Sequence, residues 1–220
     1  MRIGIYGGTF NPIHLGHLSL AQTALESLDL DQVVFVPAGI PPLKGTDNLV
    51  NAEHRLHMVQ LATAGNPCFS ISDFEICRLQ KSFTLDTVRH LVQQFPDGSE
   101  FFFILGDDCV ANLHHWKGID ELRERVTFAR ARRTGSHVPA PTTALLTIEM
   151  PLLDISSTQV RQRLNTGKPV DDLTPPSVAH YIQQHHLYRP SVDSHTENNK
   201  NEPDSTPPHA YISHAHTTAG

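Results

Sequence analysis

Apolar positions along the chain fall into short continuous runs and helical stripes, and the two alternate. Residues 2–6 (RIGIY) are β-rich and end at Gly7-Gly8, and Gln32–Val36 (QVVFV) is a second apolar run, stopped by Pro37. Between them, from about Gly16 to Leu28, Leu18, Ala21, Leu25 and Leu28 recur on one helical face. Ala38–Val50 is rich in Gly and Pro and reads as a loop. The alternation continues with a helix over Ala52–Ala64, a strand over Phe69–Ile76, a helix over Thr84–Phe95 and a strand over Glu100–Leu105. Gly106–Trp116 reads as a turn and short helix, Val126–Ala131 and Ala144–Ile148 as strands, and Ser157–Asn165 and Ser177–His185 as short helices. Two-sided apolar strands separated by helices predict an α/β fold, with a parallel sheet covered on both faces and right-handed crossovers.

After Pro190 the pattern stops. The remaining residues are mainly Ser, Thr, Asn, His and Pro with Tyr211 as the one aromatic, too little apolar surface to offset chain ordering. The expected organisation is a folded domain over residues 1–190 and a disordered polar tail over 191–220. In the tail Asp193, Glu197, Glu202 and Asp204 stand against Lys200, a net −3 of the chain's formal −6. That balance suits a long nucleic-acid duplex poorly, but leaves room for a small anion held by local cations. No apolar run approaches the ~20 residues of a membrane span, and the start lacks a signal peptide's apolar core and cleavage site. Cys68, Cys77 and Cys109 are odd in number with no C-x-x-C spacing, which reads as reduced thiols in a cytoplasmic protein.

The candidate chemistry begins where the first strand ends, at GGTFNPIHLGH (Gly7–His17). A strand, a glycine turn and a helix start bring free main-chain amides together, and these attract phosphate. The expectation is that Gly7 and Gly8 supply unusual backbone angles. Gly16 is expected to leave space for a base or ribose. His14 and His17 share a face if both lie on the first helical turn, where two imidazoles donate to phosphoryl oxygens. A second run, ISSTQVR (Ile155–Arg161), offers Ser156 or Ser157 as a helix cap and Arg161 one turn on; alone, it reads as an ordinary capped helix.

Together these runs resemble the nucleotidylyltransferase superfamily with the H-x-G-H motif and, within it, bacterial nicotinate-nucleotide adenylyltransferases. The resemblance extends from Met1 to about Tyr188. It implies a Rossmann-like open parallel sheet and adenylyl transfer from ATP to nicotinate mononucleotide, with Mg²⁺ carried mainly by ATP and no protein metal ligand. By resemblance His14, His17 and Arg161 are catalytic. Gly8, Thr9, Phe10, His14, His17, Gly106, Asp108, Ser156, Ser157, Thr158 and Arg161 bind ATP. Lys44, Thr84, Trp116, Arg132 and Arg133 serve the nicotinate nucleotide.

The remaining matches carry departures. PAGIPPLK (Pro37–Lys44) has Leu43 where the family has histidine. EICRLQKSFTLDT (Glu75–Thr87) has Gln80 for glycine and Phe83 for tyrosine, and Thr84 there is equally a helix cap. FILGDDCVANLHHW (Phe103–Trp116) keeps the tryptophan that stacks on the pyridine ring in the family, while His114 and His115 read as surface residues. FARARRTG has Thr134 for proline, and VAHYIQQHHLY (Val178–Tyr188) resembles the closing helix, with a packing role. Open alternatives are the same chemistry on nicotinamide mononucleotide, a non-catalytic nucleotide sensor on this fold, pantetheine-phosphate adenylyl transfer, and a His-rich metal carrier suggested by 15 histidines.

Overall fold

The computed structural model describes residues 1–39, 49–78, 82–133, 145–150 and 153–189, without the side chains of Asp107, Asp108 and Arg133. Lys44, Leu43, Gln80, Thr134 and the 191–220 tail therefore lie outside the described residues. Met1–Arg189 forms one compact unit. Six strands, all paired in parallel, make one sheet: β1 (Arg2–Gly8), β2 (Gln32–Pro37), β3 (Phe69–Ile71), β4 (Glu100–Gly106), β5 (Thr127–Arg133) and β6 (Leu146–Met150). Their order is β3-β2-β1-β4-β5-β6.

Strand alternation sends successive side chains to opposite faces. Ile3, Ile5, Val34, Val36, Phe101, Phe103 and Leu105 pack against α3 (Thr84–Val92) and α5 (Ile119–Arg125) through Leu85, Val88, Leu91 and Leu122. Tyr6, Val33, Phe35, Phe102 and Ile104 face the other way. They meet α1 (Leu15–Ser27), α2 (Ala52–Thr63) and α7 (Pro176–Gln184) through Ala21, Ala24, Met58, Val59, Val178 and Ile182. Each fully buried aliphatic side chain contributes roughly 1.5–3 kcal/mol, so both faces hold the sheet. The predicted doubly covered parallel sheet is the one observed. Its order reverses between β1 and β4, which opens a crevice at the carboxyl ends of those strands, where α/β sheets bind ligands.

Some boundaries differ from expectation. The strand predicted over Phe69–Ile76 stops at Ile71, because Ile76 and Cys77 amides turn back onto the Asp73 carbonyl. The helix predicted to Phe95 ends at Val92, shortly before Pro96, which cannot continue it. In α1 the fully buried stripe is Leu20, Ala21 and Ala24, with Leu18, Leu25 and Leu28 packed at its margin. Among the described residues no helix is long and apolar enough to cross a membrane.

After β4 come α4 (Asp107–Val110), a 3-10 turn (Leu113–His115) and then Gly118, at φ 69, which starts α5. A Cβ there would lie 2.4 Å from Leu85 Cδ2. Gly118→Ala meets both a left-handed backbone and a collision with α3. We predict a loss of about 2 kcal/mol or more, read as a lowered urea midpoint with unchanged slope. An unaltered midpoint would refute this role for Gly118.

Candidate active site

The turn after β1 holds the centre of the site. Its carbonyls leave the β ladder and find donors elsewhere in the chain. The Gly8 carbonyl accepts from the Ala38 amide at 2.8 Å, and Thr9 O accepts from Arg55 Nη1 at 2.8 Å. Asn11 O accepts from Arg161 Nη1 at 2.8 Å and Pro12 O from the Ser157 hydroxyl at 3.0 Å. The two sequence motifs, far apart in the chain, are therefore docked on each other. Gly7 and Gly8 are ordinary strand residues, which corrects the expectation of unusual backbone angles. Gly8 is needed for space, since a Cβ would lie 2.8 Å from the Phe10 ring. Phe10 itself sits at φ 46 and is almost fully buried, edge-on to Tyr6 and His17.

His14 precedes α1 as its N-cap, in extended conformation, and His17 lies three residues into the helix. Their rings stack with centroids 3.7 Å apart. The pair thus converges through cap geometry and not, as expected, as two residues of the first turn. The His14 amide donates to His17 Nδ1 at 3.2 Å. A neutral His17 then carries its proton on Nε2, the tautomer that donates outward. Gly16 makes room for the His14 ring, 3.1 Å from its would-be Cβ.

Ser156, not Ser157, caps α6 (Ser157–Asn165), accepting from the Gln159 amide at 3.2 Å. Arg161 is pinned by Asn11 O and by Thr158 Oγ1 at 3.2 Å. A guanidinium has five N–H donors, so these two bonds leave others for an anion. Thr9, Phe10, His14, His17, Ser157, Thr158 and Arg161 are thus joined around one turn.

Across β1 lies a cavity of about 330 Å³ lined by residues that include Gly8, Glu75, Ser82, Thr84, Gly106 and Trp116. Trp116 stands edge-on to Phe103 and Phe128, so it serves core and cavity together. Thr84 opens α3 without capping it; the N-cap is Phe83, which gives no side-chain bond. Phe83 and Thr84, at the start of α3, line the cavity. Beside them the Ser82 hydroxyl is 5% exposed and has no hydrogen-bond partner among the described residues. Lys117 Nζ sits 4.2 Å over the Phe83 ring on the same wall. Burial pushes the Glu75 carboxyl above its ordinary value; hydrogen bonds from Thr87 and the Gly39 amide, then Arg78 and Arg55, oppose the rise.

Arg132 is placed elsewhere: it pairs with Glu149 of β6, its register neighbour. Lys44 and the side chains of Asp108 and Arg133 lie outside the described residues. Sequence reading missed Arg55, Lys117 and Tyr188; Glu75 and Ser82 lie in the Glu75–Thr87 segment that resembles the family but carried no individual role. Arg55 had a signal, since it shares the buried stripe of α2 with Met58 and Val59 at i+3 and i+4. Tyr188 was given a packing role, yet its hydroxyl donates to Asn11 Oδ1 at 2.8 Å.

A cytidylyltransferase-like family model matches residues 5–163. A protein of Halalkalibacterium halodurans described as "Probable nicotinate-nucleotide adenylyltransferase" is 45% identical over 190 residues, covering 86% of this chain and 91% of its own. A Lactiplantibacillus plantarum protein of the same description is 45% identical over 190 residues, covering 85% and 88%. The solved Plasmodium falciparum nicotinic acid mononucleotide adenylyltransferase, complexed with NaAD, has a TM-score of 0.70 at 21% identity, covering 85% of this chain and 97% of its own.

Tyr188→Phe removes the bond to Asn11 while the Val50 amide still donates to Asn11 Oδ1 at 3.2 Å. The expected loss is about 1 kcal/mol. Burial raises the Tyr188 pKa from its ordinary 10. Above about pH 10 the unfolded phenol therefore ionises while the folded one stays neutral, and stability falls with pH. Urea titrations at pH 8 and pH 11 should show a steeper alkaline loss in the wild type than in Tyr188→Phe; equal losses would count against this assignment.

Proposed function

This chain belongs to the cytidylyltransferase-like family and, within it, to the nicotinate-nucleotide adenylyltransferases, and from that membership we propose how its own residues carry the reaction. The enzyme transfers the adenylyl group of ATP to nicotinate mononucleotide, giving nicotinic acid adenine dinucleotide and pyrophosphate in NAD biosynthesis. A phosphate oxygen of the mononucleotide attacks the α-phosphorus of ATP. The α–β bridging P–O bond breaks, and pyrophosphate leaves with its electron pair. The attacking phosphate is already ionised near neutral pH, so catalysis rests on alignment and charge neutralisation.

One observation carries the assignment of roles: Ser157 and Arg161 are docked on the Asn11–Pro12 backbone beside the stacked His14 and His17. Two helix starts, two imidazoles and a guanidinium gathered around one turn support an anion-binding role. His17, donating from Nε2, serves the transferring phosphoryl group; His14, Arg161, the Gly8–Phe10 main chain and the start of α6 serve the rest of the triphosphate. Gly106 and Asp108 serve the adenosine. Among the described residues no three of His, Cys, Asp and Glu gather to hold a metal. Mg²⁺ is assigned to the ATP substrate, where it would neutralise phosphate charge.

The cavity takes the nicotinate nucleotide, with Trp116 against the pyridine ring and Thr84 at its edge. The Lys117 ammonium favours a carboxylate over a carboxamide, and the Ser82 hydroxyl, without a partner among the described residues, can donate to it. This supports nicotinate over nicotinamide mononucleotide. Lys44, Arg132 and Arg133 remain assigned to its phosphate, Arg132 only by leaving Glu149. Cysteines outside disulfides accord with a cytoplasmic location.

Two measurements follow. His17→Ala should lower turnover by ~10²-fold with an unchanged circular dichroism spectrum; turnover near wild type would remove His17 from the chemistry. Lys117→Met should lower kcat/KM for nicotinate mononucleotide about five-fold, the scale of an exposed ion pair, and leave that for nicotinamide mononucleotide unchanged. Equal effects on both acceptors would contradict the acid-selecting role, and nucleotide binding without pyrophosphate release would favour a sensor.

A further inference from the structure

Among the described residues Arg55 is the largest fully buried side chain, 1% exposed. Among the described residues no carboxylate pairs with it. Instead its guanidinium donates to four main-chain carbonyls: Val50 at 3.0 Å from Nε, Thr9 at 2.8 Å and Ala38 at 2.6 Å from Nη1, and Gly39 at 2.9 Å from Nη2. Those carbonyls belong to the turn after β1, the chain leaving β2, and the chain entering α2. Desolvation lowers the Arg55 pKa, with Tyr188 and Glu75 opposing. Only a planar fork with donors in fixed directions joins three segments in this way; an ammonium is a point donor.

The contacts continue beyond Gly39. Its amide donates to the Glu75 carboxyl, and its Cα lies so near the Glu75 backbone that a Cβ would stand 2.1 Å from the Glu75 carbonyl oxygen. Glu75 Oε1 in turn accepts from the Thr87 hydroxyl at 2.7 Å, and Glu75 and Thr87 line the acceptor cavity. An unbroken chain of hydrogen bonds thus runs from the triphosphate turn to the acceptor pocket: Thr9 O, Arg55, Gly39, Glu75, Thr87.

We propose that Arg55 is a positioning residue that fixes the spacing between the two substrates without touching either. The inference rests on the adenylyl-transfer reading and adds to it a residue that sets alignment. In-line transfer needs the attacking oxygen and the α-phosphorus near ~3–3.5 Å, and a displacement of about 1 Å costs ~10²-fold in rate. Arg55 holds the wall of each half-site to the other, so loosening it separates alignment from affinity.

The test is Arg55→Lys, which keeps the charge and most of the volume but not the fork. Two-substrate steady-state kinetics should show kcat lowered ~10–100-fold with both KM values within about three-fold of wild type. Binding of a non-hydrolysable ATP analogue should be nearly unchanged. A merely structural arginine gives the opposite: a lowered melting temperature and normal kcat in the folded fraction, which overturns the proposal. A second arm leaves Arg55 in place: Glu75→Ala cuts the chain further along and should by itself lower kcat at least ~10-fold in a folded protein, and a normal kcat would overturn the proposal. The double variant with Arg55→Lys should have a kcat close to the worse single variant. Multiplicative losses would show independent actions and also overturn it. If the wild type makes no dinucleotide from nicotinate mononucleotide, the function reading fails first; a normal wild type beside an unimpaired Arg55→Lys locates the failure in this inference alone.

Discussion

The turn after the first strand cannot satisfy its own carbonyl groups. It leaves the β ladder, folds Phe10 into a left-handed conformation and passes through Pro12 before α1 begins. An unpaired buried carbonyl costs on the order of 1–3 kcal/mol. The chain answers with donors from distant segments: Arg55 at Thr9, Arg161 at Asn11 and Ser157 at Pro12. Satisfying that backbone is what assembles the site. The donors that hold the turn also bring in the start of α6 and the arginine that follows it, so under the proposed roles folding and anion binding call on the same side chains.

The sheet supplies the frame. Strand order reverses beside β1, so the turn and the end of β4 border one crevice. Glycines serve mainly as space there: Gly8 admits Phe10, Gly16 admits His14 and Gly39 admits the Glu75 carbonyl. On one side lie the imidazole pair and the docked motifs. On the other lies the cavity with Trp116, Ser82 and Lys117. The division suits a reaction in which two bound nucleotides meet, each held by its own wall.

How much of this could be read from the sequence depends on the range of the interaction. The strands and helices were legible because burial on both faces leaves continuous apolar runs, and the motifs were legible because they resemble a family. Arg55 was not, although a basic residue in a buried helical stripe is a signal, because its partners are main-chain carbonyls and carry no sequence mark. The Tyr188–Asn11 bond joins residues 177 positions apart and is a property of the folded chain alone. Ser157 offered two roles by spacing, cap or phosphate donor; the structure gives the cap to Ser156 and spends Ser157 on Pro12.

The central claim is direct transfer: two nucleotides aligned by a braced turn, with no covalent adenylyl-enzyme. The stereochemistry at the α-phosphorus tests it most directly. With ATP carrying a chiral α-phosphorothioate and nicotinate mononucleotide as acceptor, one in-line displacement inverts the configuration in the dinucleotide product. Inversion is the predicted result; retention would reveal two displacements through a protein nucleophile and contradict the account.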